Sequence, residues 1–354
     1  METTQTTFKG QNFYIGIDVH ARQWHVTIRT EQLFLRTFSM NPSPKELLLH
    51  LRRHYPGGNY FSVYEAGFCG FWIHRELTRL GLDNMVVHPA DVPTTHKEKD
   101  RKSDKIDSKK LARELAKNNL IGIYIPSEFH EQLRSLVRLR YKTVQDCTRL
   151  KNRIKAYLRI NGIEIPAHTE VSHWSGRFIK WLQNLELSHQ PGRDYLDQCI
   201  EKLQEERKRL LKNIRLLRQY AKEIENSTIV SCLDSLPGFG FITAITFYAE
   251  LIDILRFHKF DHLASYVGLV PSTSSSDEKK TIRGLTNRRN RYLRHLIIEA
   301  AWIAVRQDPV LLAKFNELTR RMKKQEAIVR IAKKLLSRLY HVWQTREPYV
   351  IGAD

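Results

Sequence analysis

The feature that most constrains the fold is the order of β-rich and helical segments in the first third of the chain. Three β-rich runs lie within residues 13–39, and a helix-periodic segment over 42–53 begins at a Ser-Pro pair. A β-rich run over 59–66, a helical segment over 71–80 and a β-rich run over 85–89 follow. With the basic helix that comes next, the order is β-β-β-α-β-α-β-α, which predicts a mixed sheet.

This order is that of an RNase H-like domain, in which three antiparallel strands precede parallel ones and the first and fourth strands are neighbours. Asp18 lies in the first strand and Glu65 ends the fourth, so the two carboxylates would meet. Asp104 and Asp107 stand three residues apart and would share one face of the basic helix. Each acid alone can be a strand-end residue or a helix cap. Four together are costly to bury without a cation, which favours Mg²⁺ or Mn²⁺ and phosphodiester chemistry.

The charge balance indicates a polyanionic partner. Lys and Arg exceed Asp and Glu by 20 in 354 residues, which favours nucleic acid over a generally basic surface but does not separate DNA from RNA. No apolar run reaches the length of a membrane helix, and the polar N-terminus lacks a signal-peptide core. The four cysteines are scattered without metal-binding spacing, as is typical of a reduced, cytoplasmic protein.

The middle of the chain reads as mostly helical. Residues 127–161 form one long helical pattern that ends at Gly162, 163–192 look like a connector with a small helix, and 194–226 form a second long, highly charged helix. This second helix fits a coiled coil or helical hairpin, or a helix packed within its own subunit. The first long helix carries a basic face, either simply solvated or in contact with phosphates, that comprises Arg134, Arg138, Lys142 and Arg149.

Two motifs mark the last third. The run from Leu236 to Ala244 contains a Pro-Gly-x-Gly turn entering an apolar helix, which resembles a helix-hairpin-helix element that binds phosphate through backbone amides. A packing corner between helices uses the same glycines. A serine-rich stretch over 272–276 is then followed by Lys279 to Arg294, with seven Lys or Arg and no acid. That stretch is either a flexible polar loop or the carrier of a serine nucleophile beside cations that neutralise a phosphate.

Three sequence blocks carry a family resemblance. GIDVH at 16–20, VYEAGFCGFWIHREL at 63–77 and KSDKIDSKKLA at 102–112 are similar to the signature blocks of the IS-one-ten transposases, the Piv/MooV-type DEDD recombinases. The resemblance implies that Asp18, Glu65, Asp104 and Asp107 form the family's metal-binding tetrad. Gly67 matches the family glycine after the glutamate, and Ser108 stands where the family usually has Ala.

The family's serine block is less well preserved. Asp277 stands where the family has Gly after the nucleophile, and Arg289 replaces a second Gly. The Ser-Gly form of the motif implies Ser276 as the nucleophile, which we favour, and the Ser-Thr-Gly form implies Ser275. The residues that match the rest of the block are Gly268, Leu269, Pro271, Gly284, Leu285, Thr286, Asn290, Leu293 and Arg294.

The resemblance implies three parts: an RNase H-like (RuvC-like) α/β domain over 1–126, a helical, coiled-coil middle over 127–226 and a mostly helical, serine-bearing domain over 227–354. It also implies a dimer or tetramer with a site composed from different subunits, and a noncoding guide RNA from the element. The protein would then be nucleoid-associated in a bacterial cell. The residues expected to contact nucleic acid are Lys102, Lys105, Lys109, Gly238, Gly240, Lys279, Lys280, Arg283, Arg288, Arg291 and Arg294.

The expected function is therefore that of an insertion-sequence transposase or recombinase that cuts and rejoins DNA through a serine assisted by a Mg²⁺-binding tetrad. Three alternatives stay open. A metal-dependent nuclease like a Holliday-junction resolvase would need the acids but not the serine. A site-specific DNA invertase would use the same site on one invertible segment. A catalytically silent nucleic-acid-binding protein would bind with steep salt dependence and cleave nothing.

Overall fold

The structure, a computed structural model, describes residues 7–94, 104–224, 227–276 and 279–352. For residues 104, 105, 227, 273–276 and 279–283 it describes the backbone alone. The chain divides into two compact units, Met1–Ile125 and Pro126–Asp354. The three-part division inferred from the sequence is finer than this and stays a prediction.

The first unit is built on a five-stranded mixed sheet with the order β3-β2-β1-β4-β5. Strands β1, β2 and β3 pair in antiparallel fashion, whereas β4 runs parallel to both β1 and β5. The predicted mixed sheet is confirmed, and its order is compatible with an RNase H-like fold. The strands are β1 (Asn12–Val19), β2 (Trp24–Arg29), β3 (Phe34–Met40), β4 (Asn59–Glu65) and β5 (Asp83–Val87).

Three helices of this unit follow the predicted order: α1 (Pro44–His54), α2 (Trp72–Arg79) and α3 (Asp104–Ala116). Helix α1 begins where the Ser43 hydroxyl accepts a hydrogen bond from the Glu46 amide. Leu47, Leu48 and Leu51 then recur at helical spacing and are buried against the sheet. The inner strand β1 buries Phe13, Ile15 and Ile17 in the same core.

Two long helices, α4 (Glu128–Ile160) and α6 (Gln190–Glu223), open the second unit, with the short helix α5 (Gly176–Gln183) between them. The first long helix lies where the sequence predicted it, and it packs against α6. Helix α6 begins earlier than predicted, because Pro191 and Gly192 belong to its first turn and not to a connector. Proline is tolerated there since the first amides of a helix have no carbonyl partner.

The remainder of the second unit packs around α8, in which residues 244–251 are all buried. A two-stranded antiparallel hairpin of β6 (Pro271–Ser276) and β7 (Lys279–Leu285) interrupts the helices, where the sequence had suggested a polar loop. The helices are α7 (Ser227–Asp234), α8 (Phe241–Leu251), α9 (Phe260–Val267), α10 (Arg291–Gln307), α11 (Pro309–Thr319) and α12 (Lys324–Thr345).

Two further observations bear on the sequence predictions. All four cysteines are free thiols, and three of them are buried. Among the helices in the described ranges, none is both long enough and apolar enough to span a membrane.

Candidate active site

Helix α3 lies directly on strand β1, and Gly16 makes this close approach possible. A Cβ atom at Gly16 would overlap the Ser108 carbonyl oxygen and the Ala112 amide nitrogen of α3. The Ser108 side chain is fully buried, and its hydroxyl lies 2.9 Å from that of Thr27 on β2, which lies 2.7 Å from that of Thr37 on β3. The Ser108 hydroxyl therefore has a hydrogen-bond partner inside the core, and this contact fixes the position of α3 along strand β2.

The sheet brings two of the predicted acids to one edge. Strands β1 and β4 are parallel and in register up to Ile17 and Tyr64, so Asp18 and Glu65 are the next residues on adjacent strands. The turn after Glu65 is held by the Tyr64 hydroxyl, which donates to the Gly70 carbonyl over 3.1 Å. The carboxyl ends of parallel strands are where such sheets place ligand-binding groups.

Lys110 connects the strand acid with the helix acid. Its Nζ atom lies 3.3 Å from Glu65 Oε1 and 3.1 Å from Asp107 Oδ1, and its side chain is 8% exposed. Burial alone would lower the pKa of Lys110, but the hydrogen bond with Asp107 and the charges of Glu65 and Asp107 outweigh it and raise the pKa. The ammonium group is thus a fixed positive charge between two of the predicted metal ligands.

A histidine accompanies the first acid. His20 Nε2 lies 3.1 Å from Asp18 Oδ2, and the ring packs edge-on against His25. The sequence motifs do not single out His20 or Lys110 as site residues. Their signal was spacing alone, since side chains two apart on a strand and three apart on a helix share a face.

The acids match a divalent cation in chemistry, although the side chains that the structure describes do not form a complete set of ligands. Glu65 Oε1 is a buried carboxylate oxygen that forms an ion pair with Lys110 Nζ over 3.3 Å. Carboxylate oxygens of this kind suit Mg²⁺ or Mn²⁺. In the same part, no group of three His, Cys, Asp or Glu side chains is arranged to hold a metal ion. The Asp104 side chain, the fourth member of the predicted tetrad, lies outside the described atoms.

The predicted nucleophiles lie on the β6–β7 hairpin of the second unit. Its register pairs Ser276 with Lys279 and Ser275 with Lys280. The backbone therefore puts each candidate serine directly across from a lysine, as residues opposite one another in an antiparallel pair are close neighbours. The side chains of these four residues lie outside the described atoms, and Asp277 lies outside the described residues.

The base of this hairpin is firmly fixed. The Thr286 amide donates to the Val270 carbonyl over 3.1 Å, and Arg294 Nη1 donates to the carbonyls of Gly268 and Thr286 over 2.9 and 2.8 Å. Gly268 has φ +87°, and a Cβ there would overlap the Arg289 side chain. The guanidinium of Arg294 thus joins the two chain segments that enter and leave the hairpin, while its predicted contact with nucleic acid stays a prediction.

The other predicted nucleic-acid contacts are found in different settings. Lys109 Nζ lies 5.1 Å from the centre of the Phe34 ring, and Arg291 lies over the Tyr292 ring while Arg288 is exposed. Lys102 lies outside the described residues. The side chains of Lys105 and Arg283 lie outside the described atoms.

The glycines of the predicted phosphate-binding turn and two arginines of the predicted basic helix face have structural roles within the second unit. The Gly238 amide donates to Gln307 Oε1 over 2.7 Å, and a Cβ at Gly238 would overlap the Ala300 carbonyl. Gly238 therefore belongs to a packing corner in which Gln307 engages its amide, and Gly240 caps helix α8, while the predicted contact of both glycines with a phosphate stays a prediction. On α4, both Arg134 and Arg138 contact the buried Glu250, so half of the predicted basic face is engaged inside the unit.

Comparison with known proteins gives matches to two family models. Residues 15–161 match a model of the DEDD type described as "Transposase", and residues 230–316 match one described as "Transposase IS116/IS110/IS902 family". The first match includes all four predicted acids, and the second includes the serine hairpin.

Curated relatives agree with these matches. A putative transposase y4qE of Sinorhizobium fredii is 30% identical over 244 residues, which is 69% of this chain and 58% of that protein, and thus less than two thirds of its length. A second putative transposase of the same organism, y4rJ, is 28% identical over 313 residues, covering 80% of this chain and 77% of that protein. The transposase for insertion sequence element IS1111A of Coxiella burnetii is 25% identical over 301 residues, covering 82% and 79%.

Proposed function

The chain belongs to the IS110 family of transposases, and we propose that it cuts and rejoins the DNA strands of an insertion sequence through a serine nucleophile assisted by divalent metal. The observation that carries the proposal is that both matched regions are present in one chain. One contains the sheet edge with the predicted acids, and the other contains a hairpin whose backbone register pairs each candidate serine with a lysine.

The metal-binding half of the proposal assigns Asp18, Glu65, Asp104 and Asp107 as ligands of Mg²⁺ or Mn²⁺. When bound, such an ion neutralises the charge that develops on phosphate oxygens. The support is the buried Glu65 Oε1 together with its neighbour Asp18 on the adjacent strand and Asp107 on α3, whose carboxylate shares the Lys110 ammonium with Glu65. Lys110 holds Glu65 and Asp107 close to each other, because the repulsion between two carboxylates is offset by the ammonium group.

The serine half of the proposal is a transesterification. The Ser276 hydroxyl, or that of Ser275, attacks a DNA phosphate and loses its proton, a bond forms between serine Oγ and phosphorus, and the bond to O3′ breaks. The departing oxygen takes up a proton and becomes a 3′ hydroxyl. Attack by a 3′ hydroxyl on the phosphoserine link reverses these changes and joins the strand. Lys279 and Lys280, across from the two serines, would neutralise the phosphate in both directions.

The partners follow from the same proposal. DNA from the element ends and the target would be the substrate, a structured RNA from the element would guide the choice of sites, and two or four copies of the chain would act together. The formal net charge of +20 supports binding of such polyanions. It does not favour either kind of nucleic acid over the other.

Covalent trapping on a labelled junction of element ends, with Mg²⁺ and RNA from the element flanks, tests the proposal. Wild type is compared with Ser276→Ala, Ser275→Ala and Asp104→Asn, and Ser272→Ala serves as a control on the same strand. We expect a protein–DNA adduct in wild type and Ser272→Ala that is lost in Ser276→Ala and in Asp104→Asn. If the adduct is lost in Ser275→Ala and kept in Ser276→Ala, Ser275 is the nucleophile.

Two other outcomes would contradict the proposal. If cleavage persists in both candidate serine variants and stops only with Asp104→Asn, the protein is a metal-dependent nuclease of the junction-resolving kind. If every variant binds tightly and wild type never cleaves, the protein is a nucleic-acid-binding protein without catalytic activity.

A further inference from the structure

A buried carboxylate lies behind the serine hairpin. The Glu250 side chain, in the last turn of α8, is 0% exposed, and it receives a bidentate pair of hydrogen bonds from Arg138 on α4. Arg138 Nε lies 2.7 Å from Glu250 Oε1, and Arg138 Nη2 lies 2.9 Å from Oε2. A carboxylate so fully removed from water is tolerated only when its oxygens are satisfied.

The third donor to this carboxylate comes from the segment that follows the hairpin. Asn290 Nδ2 lies 2.8 Å from Glu250 Oε2. The Asn290 side-chain oxygen accepts from the amides of Tyr292 and Leu293, which fixes the start of α10. The backbone amide of Asn290 donates to the Tyr266 carbonyl. One asparagine thus anchors the hairpin's exit both to helix α10 and to Glu250.

Further contacts connect the same three elements. Arg134 donates to the carbonyls of Ala249 and Glu250 at the end of α8 over 3.2 and 3.3 Å. The guanidinium of Arg138 also lies over the Tyr292 ring, 5.1 Å from its centre. Helix α4, helix α8 and the exit of the hairpin therefore meet at a single buried negative charge.

We propose that Glu250 is a positioning residue that, through Arg138 and Asn290, fixes the base of the β6–β7 hairpin against helix α4 and so determines where Ser275 and Ser276 stand. This rests on the proposed function, because the serines matter only if one of them attacks DNA. The Glu250 side chain is 0% exposed, so its role is to position other residues and not to contact a substrate. Its effect is to restrict the hairpin to one orientation, since planar bidentate pairing and a capping asparagine allow little rotation.

The inference is tested on the full chain by hydrogen–deuterium exchange of the backbone amides at 268–276 and 284–290. Arg138→Met leaves Glu250 buried without its main partner, and Arg138→Lys keeps the charge but not the bidentate geometry. We expect exchange at the hairpin base to rise about tenfold in Arg138→Met and less in Arg138→Lys. Arg209→Met, which removes an exposed arginine from its ion pair with the half-buried Glu206 on α6, is the matched control and should leave the hairpin unchanged.

A paired neutral variant gives the second readout. Glu250→Gln alone places the glutamine NH₂ group, a donor, against the donors of Arg138 and Asn290. In the double variant Glu250→Gln/Arg138→Met the arginine donors are gone, and the glutamine side-chain oxygen can accept the hydrogen bond from Asn290. We expect the double variant to exchange more slowly at the hairpin base than Glu250→Gln does, which a merely additive loss of contacts would not produce.

The catalytic readout separates positioning from binding. In Arg138→Met we expect the Kd for a junction DNA to stay within about twofold of wild type, while the rate of covalent adduct formation falls at least about tenfold, as for a misplaced nucleophile. Equal exchange and equal adduct rates in Arg138→Met and Arg209→Met would overturn the inference. So would a rise in exchange that is uniform over the second unit. If wild type forms no adduct at all, the proposed function fails, and the exchange data still decide whether Glu250 fixes the hairpin.

Discussion

Lys110 places a positive charge between two acids of the predicted tetrad. The Glu65 and Asp107 side chains are 29% and 36% exposed, and the Lys110 ammonium lies within 3.3 Å of both. A divalent ion that binds these carboxylates therefore meets a positive charge already in place. The lysine stabilises the acids when the ion is absent and opposes the ion's entry.

We predict that Lys110→Met weakens the metal-free protein and strengthens metal binding. Without the ammonium group the two carboxylates repel each other, and the free energy of unfolding should fall by about 1 to 2 kcal/mol, less than for a fully buried pair. The affinity for Mn²⁺, measured by calorimetry without nucleic acid, should rise about tenfold because a nearby repulsive charge is gone.

Lys109→Met is the control for this prediction, since Lys109 is on the same helix and lies against Phe34. It removes the same charge from α3 without touching Glu65 or Asp107, so its Mn²⁺ affinity should change by less than about twofold. Weaker Mn²⁺ binding in Lys110→Met than in Lys109→Met would mean that the lysine organises the ligands and does not compete with the ion.

At the scale of elements, Asp308 joins three helices and the C-terminal segment. Its Oδ1 accepts from the amides of Val310 and Leu311 at the start of α11, and its Oδ2 lies 2.8 Å from Arg338 Nη1 on α12 and 2.6 Å from the Tyr349 hydroxyl. Burial alone would raise the pKa of Asp308. The hydrogen bonds from Tyr349 and the α11 amides, with the charge of Arg338, outweigh it and lower the pKa.

This lowered pKa predicts a loss of stability in acid. Because the folded pKa lies below the unfolded value of about 3.9, the ionised form stabilises the fold fully above that value, and the contribution is lost as the pH falls through the folded pKa. Asp308→Asn should lower the free energy of unfolding by about 2 to 4 kcal/mol at pH 7. Urea titrations should show this difference shrinking below about pH 4.

The exposed Asp261, which pairs loosely with Lys333, provides the comparison for Asp308. Asp261→Asn should change the free energy of unfolding by less than about 0.5 kcal/mol at either pH. An Asp308→Asn deficit of equal size at pH 7 and pH 3 would show that the carboxylate contributes through its shape and hydrogen bonds and not through its charge.

The elements also show what the sequence can and cannot predict. The mixed sheet was predictable because apolar runs such as that around Ile15 and Ile17 leave little choice about which residues are buried. The β6–β7 hairpin was not, since a serine run paired with a lysine-rich run has no alternation of apolar and polar residues. The start of α6 was missed because Pro191 suggests a break unless its place in the first turn is known.

The same limit applies to the candidate site. Asp18 and Glu65 could be paired from strand order alone, because parallel neighbours end at the same edge. Lys110 could not be distinguished from the other lysines of α3, since only the packing of Gly16 against this helix decides which of them points at Glu65. Glu250 gave no signal in the sequence, as its partners lie 112 and 40 residues away.

At the scale of the whole molecule, the cations behind the net charge of +20 do not all contribute equally to binding nucleic acid. The guanidinium groups of Arg138 and Arg294 are hydrogen-bonded within the second unit, and the side chains of Arg288 and Arg291 near the start of α10 are exposed. Binding to phosphates releases counterions, so affinity should depend steeply on salt. The dependence should come from exposed residues at particular places and not from the total charge.

We therefore predict a local origin for the salt dependence. In Arg288→Gln/Arg291→Gln, the slope of log affinity against log salt concentration should become shallower by about 2, by the same amount for unrelated DNA sequences. Arg320→Gln/Arg321→Gln removes the same two charges from an exposed turn between α11 and α12, and its slope should match wild type. Fluorescence anisotropy from about 50 to 200 mM salt measures both. If the salt slope becomes shallower by the same amount in both double variants, the protein binds DNA through its overall charge. Arg288 and Arg291 would then have no special part in binding DNA.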